Sequence, residues 1–124
     1  MKIIILLFIG VIFLAGCTSS EVEFSSMSGQ DAYDLIASGT DVTVLDVRSE
    51  VEFLSGHIEG AVLLPVNEIE DRAEGILVDK EAVILVICQS GNRSVTASQE
   101  LANLGFTNVY NIGGILSWPG EIIQ

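Results

Sequence analysis

Cys88 follows five consecutive apolar residues, Val83-Ile84-Leu85-Val86-Ile87, and precedes the polar stretch Gln89-Ser90-Gly91-Asn92-Arg93-Ser94. The apolar run is mostly β-branched, which fits a strand buried on both faces in the middle of a parallel sheet. From Ser94 the apolar period changes: Ala97, Leu101 and Leu104 share one helical face, and Gly105 is placed to stop the helix. A thiol is thereby expected between the C-terminal end of a strand and the N-terminus of a helix. Free amide N–H groups and the positive end of the helix dipole at such a point stabilise an anion, either a bound ligand or the thiolate itself. Cys88 is therefore the candidate nucleophile. The plain alternative is a small apolar core residue at a strand end; the loop and helix that follow argue against it.

The elements that must position this thiol alternate in type. Ser28 followed by Asp31 reads as a capping box with Asp in place of Glu. It opens a helix through Ala32, Leu35 and Ile36 that ends near Gly39. Residues 42–47 read as a strand, Glu50 to Leu54 as a short helix and Ala61 to Leu64 as another strand. Val66 to Ala73 reads as a weak helix with acidic residues near its start, and Val109 to Ile112 as the last strand. Trp118 reads as a lid on the core and Gly113-Gly114 as a turn. Strands alternating with helices imply right-handed crossovers and a parallel sheet covered on both sides, an α/β fold.

Three segments carry a family resemblance. Cys88-Gln-Ser-Gly-Asn-Arg93-Ser94 resembles the active loop of the rhodanese-like sulfurtransferases, in which a Cys opens a six-residue cradle. Upstream, Asp46-Val47-Arg48, Glu52-Phe53, Gly56-His57-Ile58, Gly60-Ala61 and Pro65 follow the family's other long motif in order and spacing. Gly105-Phe106, Val109-Tyr110, Gly113-Gly114 and Trp118 resemble its closing segment. The resemblance runs from about Ser26 to Trp118. It implies a single rhodanese-like domain over residues 26–124, with a central, mostly parallel sheet of about five strands and helices on both faces.

The resemblance also implies a chemistry. Cys88 would take a sulfane sulfur from a donor such as thiosulfate or a persulfide, and pass it as a Cys88 persulfide to a thiophilic acceptor, a thiol or cyanide, without a cofactor. Gln89, Ser90, Gly91, Asn92, Arg93 and Ser94 would bind the substrate, their backbone N–H groups sharing the persulfide's charge. Gly91 permits a backbone angle that a side chain would block, and Ser94 is placed to cap the helix. Arg93 either meets an anionic donor or braces the loop. Asp46 and Arg48 either touch the loop or brace the fold as an ion pair, with Arg48 to Glu52 as another pairing four residues apart. His57 reads as a hydrogen-bonded structural residue, with a general base as the other reading. One departure stands out: Gln89 occupies a position where many thiosulfate-using members carry a basic residue. Two other functions are compatible with a reactive cysteine. One is a non-catalytic sulfur-carrier or interaction module. The other is a phosphatase or arsenate reductase, against which the loop argues, because Cys88 to Arg93 is one residue shorter than the related phosphatase loop.

The first residues follow a different logic. Lys2 precedes an apolar run from Ile3 to Leu14, and Leu14-Ala15-Gly16-Cys17 follows. Twelve helical residues span about 18 Å, short of the roughly 30 Å hydrocarbon layer, so residues 1–16 read as a signal peptide rather than a spanning helix. The tetrapeptide resembles the lipobox of prokaryotic lipoproteins, with Cys17 lipidated and residues 17–25 as a short tether. That predicts an exported domain, anchored by lipid to the extracytoplasmic face of a prokaryotic membrane. With Cys17 so used, Cys88 has no disulfide partner in the chain. One His and one spare Cys argue against a metal site. Five basic against 17 acidic side chains leave a formal charge of −12, which repels nucleic acid and opposes the approach of an anionic donor.

Overall fold

The computed structural model describes residues 23–124; the expected signal peptide, Cys17 and the tether as far as Val22 lie outside them. The chain runs β1 (Ser25–Ser26), α1 (Gly29–Ala37), β2 (Thr43–Asp46), α2 (Glu50–Leu54) and β3 (Val62–Leu63), then a 3₁₀ turn (Val66–Glu68) that leads into α3 (Ile69–Ile76). It continues through β4 (Val83–Cys88), α4 (Asn92–Asn103) and β5 (Asn108–Gly114) to a second 3₁₀ turn (Ile115–Ser117). The strands form one sheet in the order β1-β5-β4-β2-β3, every pair parallel. The apolar run therefore lies at the centre, as its composition requires.

Alternation along β4 divides the core between two layers. Leu85 and Ile87 face α1 and pack with Ala32, Ile58 and Ile112. Ile84, Val86 and Cys88 face the other way, against Ile69 and Ala73 of α3 and Ala97 and Leu101 of α4. All five β4 residues from Ile84 to Cys88 are fully buried. Each large aliphatic side chain so buried contributes about 1.5–3 kcal/mol. The helices thus cover both faces of the sheet, and the thiol belongs to the α3–α4 layer.

Local capping explains the helix starts. Ser28 Oγ accepts the Asp31 N–H at 3.0 Å and opens α1. A full reciprocal box occurs at α2, where Ser49 Oγ accepts the Glu52 N–H and Glu52 accepts the Ser49 N–H.

Four elements differ from the sequence expectation. Ser25, assigned to the tether, pairs with Tyr110 in β1, and Phe24 packs on the core; two exposed serines carry no apolar period, so only backbone pairing brings them into the sheet. The helix expected from Val66 begins instead at Ile69 and extends to Ile76, because the residues after Pro65 form the tighter 3₁₀ turn first. The Gly113-Gly114 pair is not a turn. It ends β5 beyond a bulge, where Val86 faces Asn111 but Ile87 faces Gly113, so Ile112 is the extra residue and the strand bends. Finally, α4 begins at Asn92, ahead of Ser94. Trp118 is half-buried against the α1 layer, edge-on to Tyr33 with ring centres 5.9 Å apart.

Candidate active site

Cys88 is the last residue of β4, and its side chain is completely covered. The Gly91 N–H donates to Sγ at 3.0 Å, and the thiol reaches Ser94 Oγ at 3.4 Å. The Ser94 hydroxyl in turn donates to the Gly91 carbonyl at 3.1 Å. This tight closure depends on Gly91, whose φ of +103° lies in the left-handed region that side chains disfavour. Gly91 is consequently the N-cap of α4 and Asn92 its first residue. Ser94 therefore does not cap the helix; it is a buried residue of the first turn and reaches back to the thiol. The 12-residue helix starts beside Sγ, with the N–H of its N-cap Gly91 directed at the sulfur.

Two ion pairs hold the loop from one side. The buried pair of Asp46 and Arg48 sits at the end of β2, with Arg48 Nη2 2.8 Å from Asp46 Oδ2. Arg48 also donates to the Gly56 carbonyl at 2.7 Å and to Gln89 Oε1 at 3.1 Å, so the same residue braces the fold and touches the loop. Glu52 does not pair with Arg48. It clasps Arg93 with two parallel bonds, Nη1 to Oε1 at 2.7 Å and Nη2 to Oε2 at 2.8 Å. From the other side β5 closes in. The Leu116 N–H reaches the Gln89 carbonyl at 3.4 Å, and Gly114 lies so near the loop that a Cβ there would stand 2.4 Å from that oxygen. An open groove of about 440 Å³ flanks the loop, lined by Arg48, Glu52, Gly56 and Gln89 on its polar side and by Ile115 and Ile122 on its apolar side.

His57 takes the structural role. Its Nδ1 lies 3.0 Å from the Phe53 carbonyl, its ring stacks on Phe53 at 3.9 Å, and its backbone exchanges two 2.8 Å bonds with Ile123.

A rhodanese-like domain model matches residues 28–121. This chain belongs to the rhodanese-like family. A thiosulfate sulfurtransferase GlpE from Pseudomonas entomophila (strain L48) is 37% identical over 107 residues, 82% of this chain and 94% of that protein. The thiosulfate sulfurtransferase PspE of Escherichia coli (strain K12) is 32% identical over 71 residues, 57% of this chain and 68% of its own. Among solved structures, a rhodanese-related protein from Thermoplasma volcanium superposes with a TM-score of 0.70 at 33% identity, covering 81% of this chain and 98% of that one.

Within this rhodanese-like domain, the structure brings Cys88, Gly91 and Ser94 into contact and ties Gln89 to Arg48 and Arg93 to Glu52. Ser90 and Asn92 have exposed side chains. The clasp on Arg93 is the feature that sequence reading missed. Glu52 and Arg93 are 41 positions apart, and the sequence marked Glu52 only as part of the upstream motif and as a partner for Arg48.

The hydrogen bonds from Arg93, aided by those from Ser49, lower the Glu52 carboxyl to about 2. A carboxylate with a depressed folded-state pKa stabilises the fold above its unfolded value, near 4.5, and loses that contribution as pH falls toward about 2. The clasp is therefore expected to persist at pH 4 and to open only near pH 2–3. A titration of the Glu52 side-chain carboxyl by ¹³C NMR checks this; a midpoint near 4.5 would mean that no lasting clasp exists.

Proposed function

We propose that this domain is a sulfurtransferase in which Cys88 carries the transferred sulfur. The observation that supports the reading best is the seat of Cys88 at the junction of β4 and α4, with the Gly91 N–H on its sulfur. The thiolate attacks the outer sulfur of the donor, a sulfur–sulfur bond forms at Sγ, and the donor's own sulfur–sulfur bond breaks, its electron pair leaving with the remainder. The loop amide and the helix N-terminus then stabilise the persulfide's negative charge. An acceptor thiol or cyanide attacks the terminal sulfur and restores the thiolate. Because Cys88 is sealed beneath Gly91 and Ser94, loading requires the loop to lift. The same cover shields an unpaired thiol from stray oxidation between turnovers. A phosphatase reading is disfavoured, since Arg93 is turned to Glu52 rather than free to hold an oxyanion above the sulfur.

We also propose that the full chain is exported and anchored through lipid on Cys17, from the Leu14-Ala15-Gly16-Cys17 tetrapeptide. Mass spectrometry tests both proposals. Incubation with a persulfide or thiosulfate should add one sulfur to the wild-type domain but none to Cys88→Ser, and cyanide or a thiol should then remove it. An adduct that is never released indicates a carrier, and phosphate release from an aryl phosphate without an adduct indicates the phosphatase reading. In membranes of a host that processes lipoproteins, the mature chain should begin at an acylated Cys17; an unprocessed Met1 start refutes the anchor.

A further inference from the structure

Among the described residues, both cations beside the thiol are already neutralised. Arg48 is spent on Asp46 in the buried pair, and Arg93 is held by both oxygens of Glu52. The remaining loop side chains, Gln89, Ser90 and Asn92, are uncharged. A second hollow, on the other flank of Arg93, adds the carboxylate of Glu50, and the Glu68 carboxylate there is paired with Arg72 at 2.9 Å. The chain as a whole carries −12. An incoming donor thus meets neutral or negative surface on both sides of the loop, and the larger groove presents Ile115 and Ile122 to whatever remains after its sulfur is taken.

We infer that Glu52 is a specificity-determining residue, which by cancelling Arg93 selects a sulfur donor of low charge with an apolar body, an organic hydropersulfide, over a dianion such as thiosulfate. This rests on the sulfur-transfer reading above. The step balances as thiolate plus R–S–SH giving Cys88–S–SH plus R–S⁻: the Sγ–S bond forms, the R–S–S bond breaks, and R–S⁻ takes its electron pair. The released thiolate then accepts the proton of the new persulfide. With thiosulfate the leaving group is sulfite, and two negative charges must approach the thiolate with no free cation among the described loop residues to offset them.

The test compares kcat/KM for thiosulfate and for the hydropersulfide of 1-propanethiol, with cyanide as acceptor, in wild type, Glu52→Gln and Glu52→Asp. Glutamine keeps one acceptor oxygen for Arg93 Nη1 and Ser49, loses the bond to Arg93 Nη2 and removes the charge. It should raise the thiosulfate-to-hydropersulfide ratio about tenfold, mainly through KM, and the gain should shrink as salt is added. Aspartate should stay near the wild-type ratio. A wild-type preference for thiosulfate overturns the inference whatever the variants do, as does a shift under about twofold in Glu52→Gln. If neither donor loads sulfur onto Cys88, the sulfur-transfer reading itself falls.

Discussion

Arg48→Ala is expected to destabilise the domain by about 3–5 kcal/mol, the usual cost of removing one partner from a buried ion pair. Asp46 is fully buried and Arg48 only 3% exposed, so the carboxylate left behind cannot recover its hydration. Three contacts go at once: the guanidinium bonds to Asp46, the 2.7 Å bond to the Gly56 carbonyl and the 3.1 Å bond to Gln89. A loss of that size is a large share of the 5–15 kcal/mol typical of a domain, and urea denaturation should show it as a clear drop in midpoint. The double variant Asp46→Leu, Arg48→Met should recover much of the loss, because removing both charges spares the desolvation cost. A single-variant effect under about 1 kcal/mol, in the range of exposed pairs, would show that the pair is hydrated in solution.

Gly114→Ala should damage activity more than stability. The backbone at Gly114, with φ −109° and ψ 152°, is open to any residue, so strain in the chain is not the issue. The cost is steric. The added carbon would stand 2.4 Å from the Gln89 carbonyl oxygen and 2.8 Å from Ser90 Cα and C. All three are backbone atoms of the loop, so either the loop or the end of β5 must move. Overpacking of this kind costs about 1–3 kcal/mol. A displacement of about 1 Å in a group that positions a nucleophile can cost about 100-fold in rate, which is the expected fall in sulfur loading of Cys88. Loading at the wild-type rate, followed by intact mass, would mean that the loop does not need its present seat on β5.

Much of this was legible along the chain because it is local. The β-branched run Val83 to Ile87 fitted a central strand, and the change of period after Cys88 implied the helix that follows. The short helix Glu50–Leu54 was read with its observed bounds, and the structure shows the Ser49 cap and acidic residues at its start. Errors arose where local signals are silent or shared. Ser94 resembled a cap, but the left-handed turn at Gly91 had already started α4. Gly113-Gly114 resembled a turn, yet the chain runs on in register with β4 past the bulge.

Periodicity and three ordered motifs in the amino-acid sequence alone determined the α/β class, the strand–loop–helix around Cys88 and the family. Tertiary structure alone decided that Cys88 is sealed, that Ser25 joins the sheet beside β5, and that Glu52, not a substrate, holds Arg93. The physical reason is range. An apolar period reports which face of one element must leave water, whereas the meeting of charges 41 residues apart depends on how parallel crossovers set one strand end beside the next.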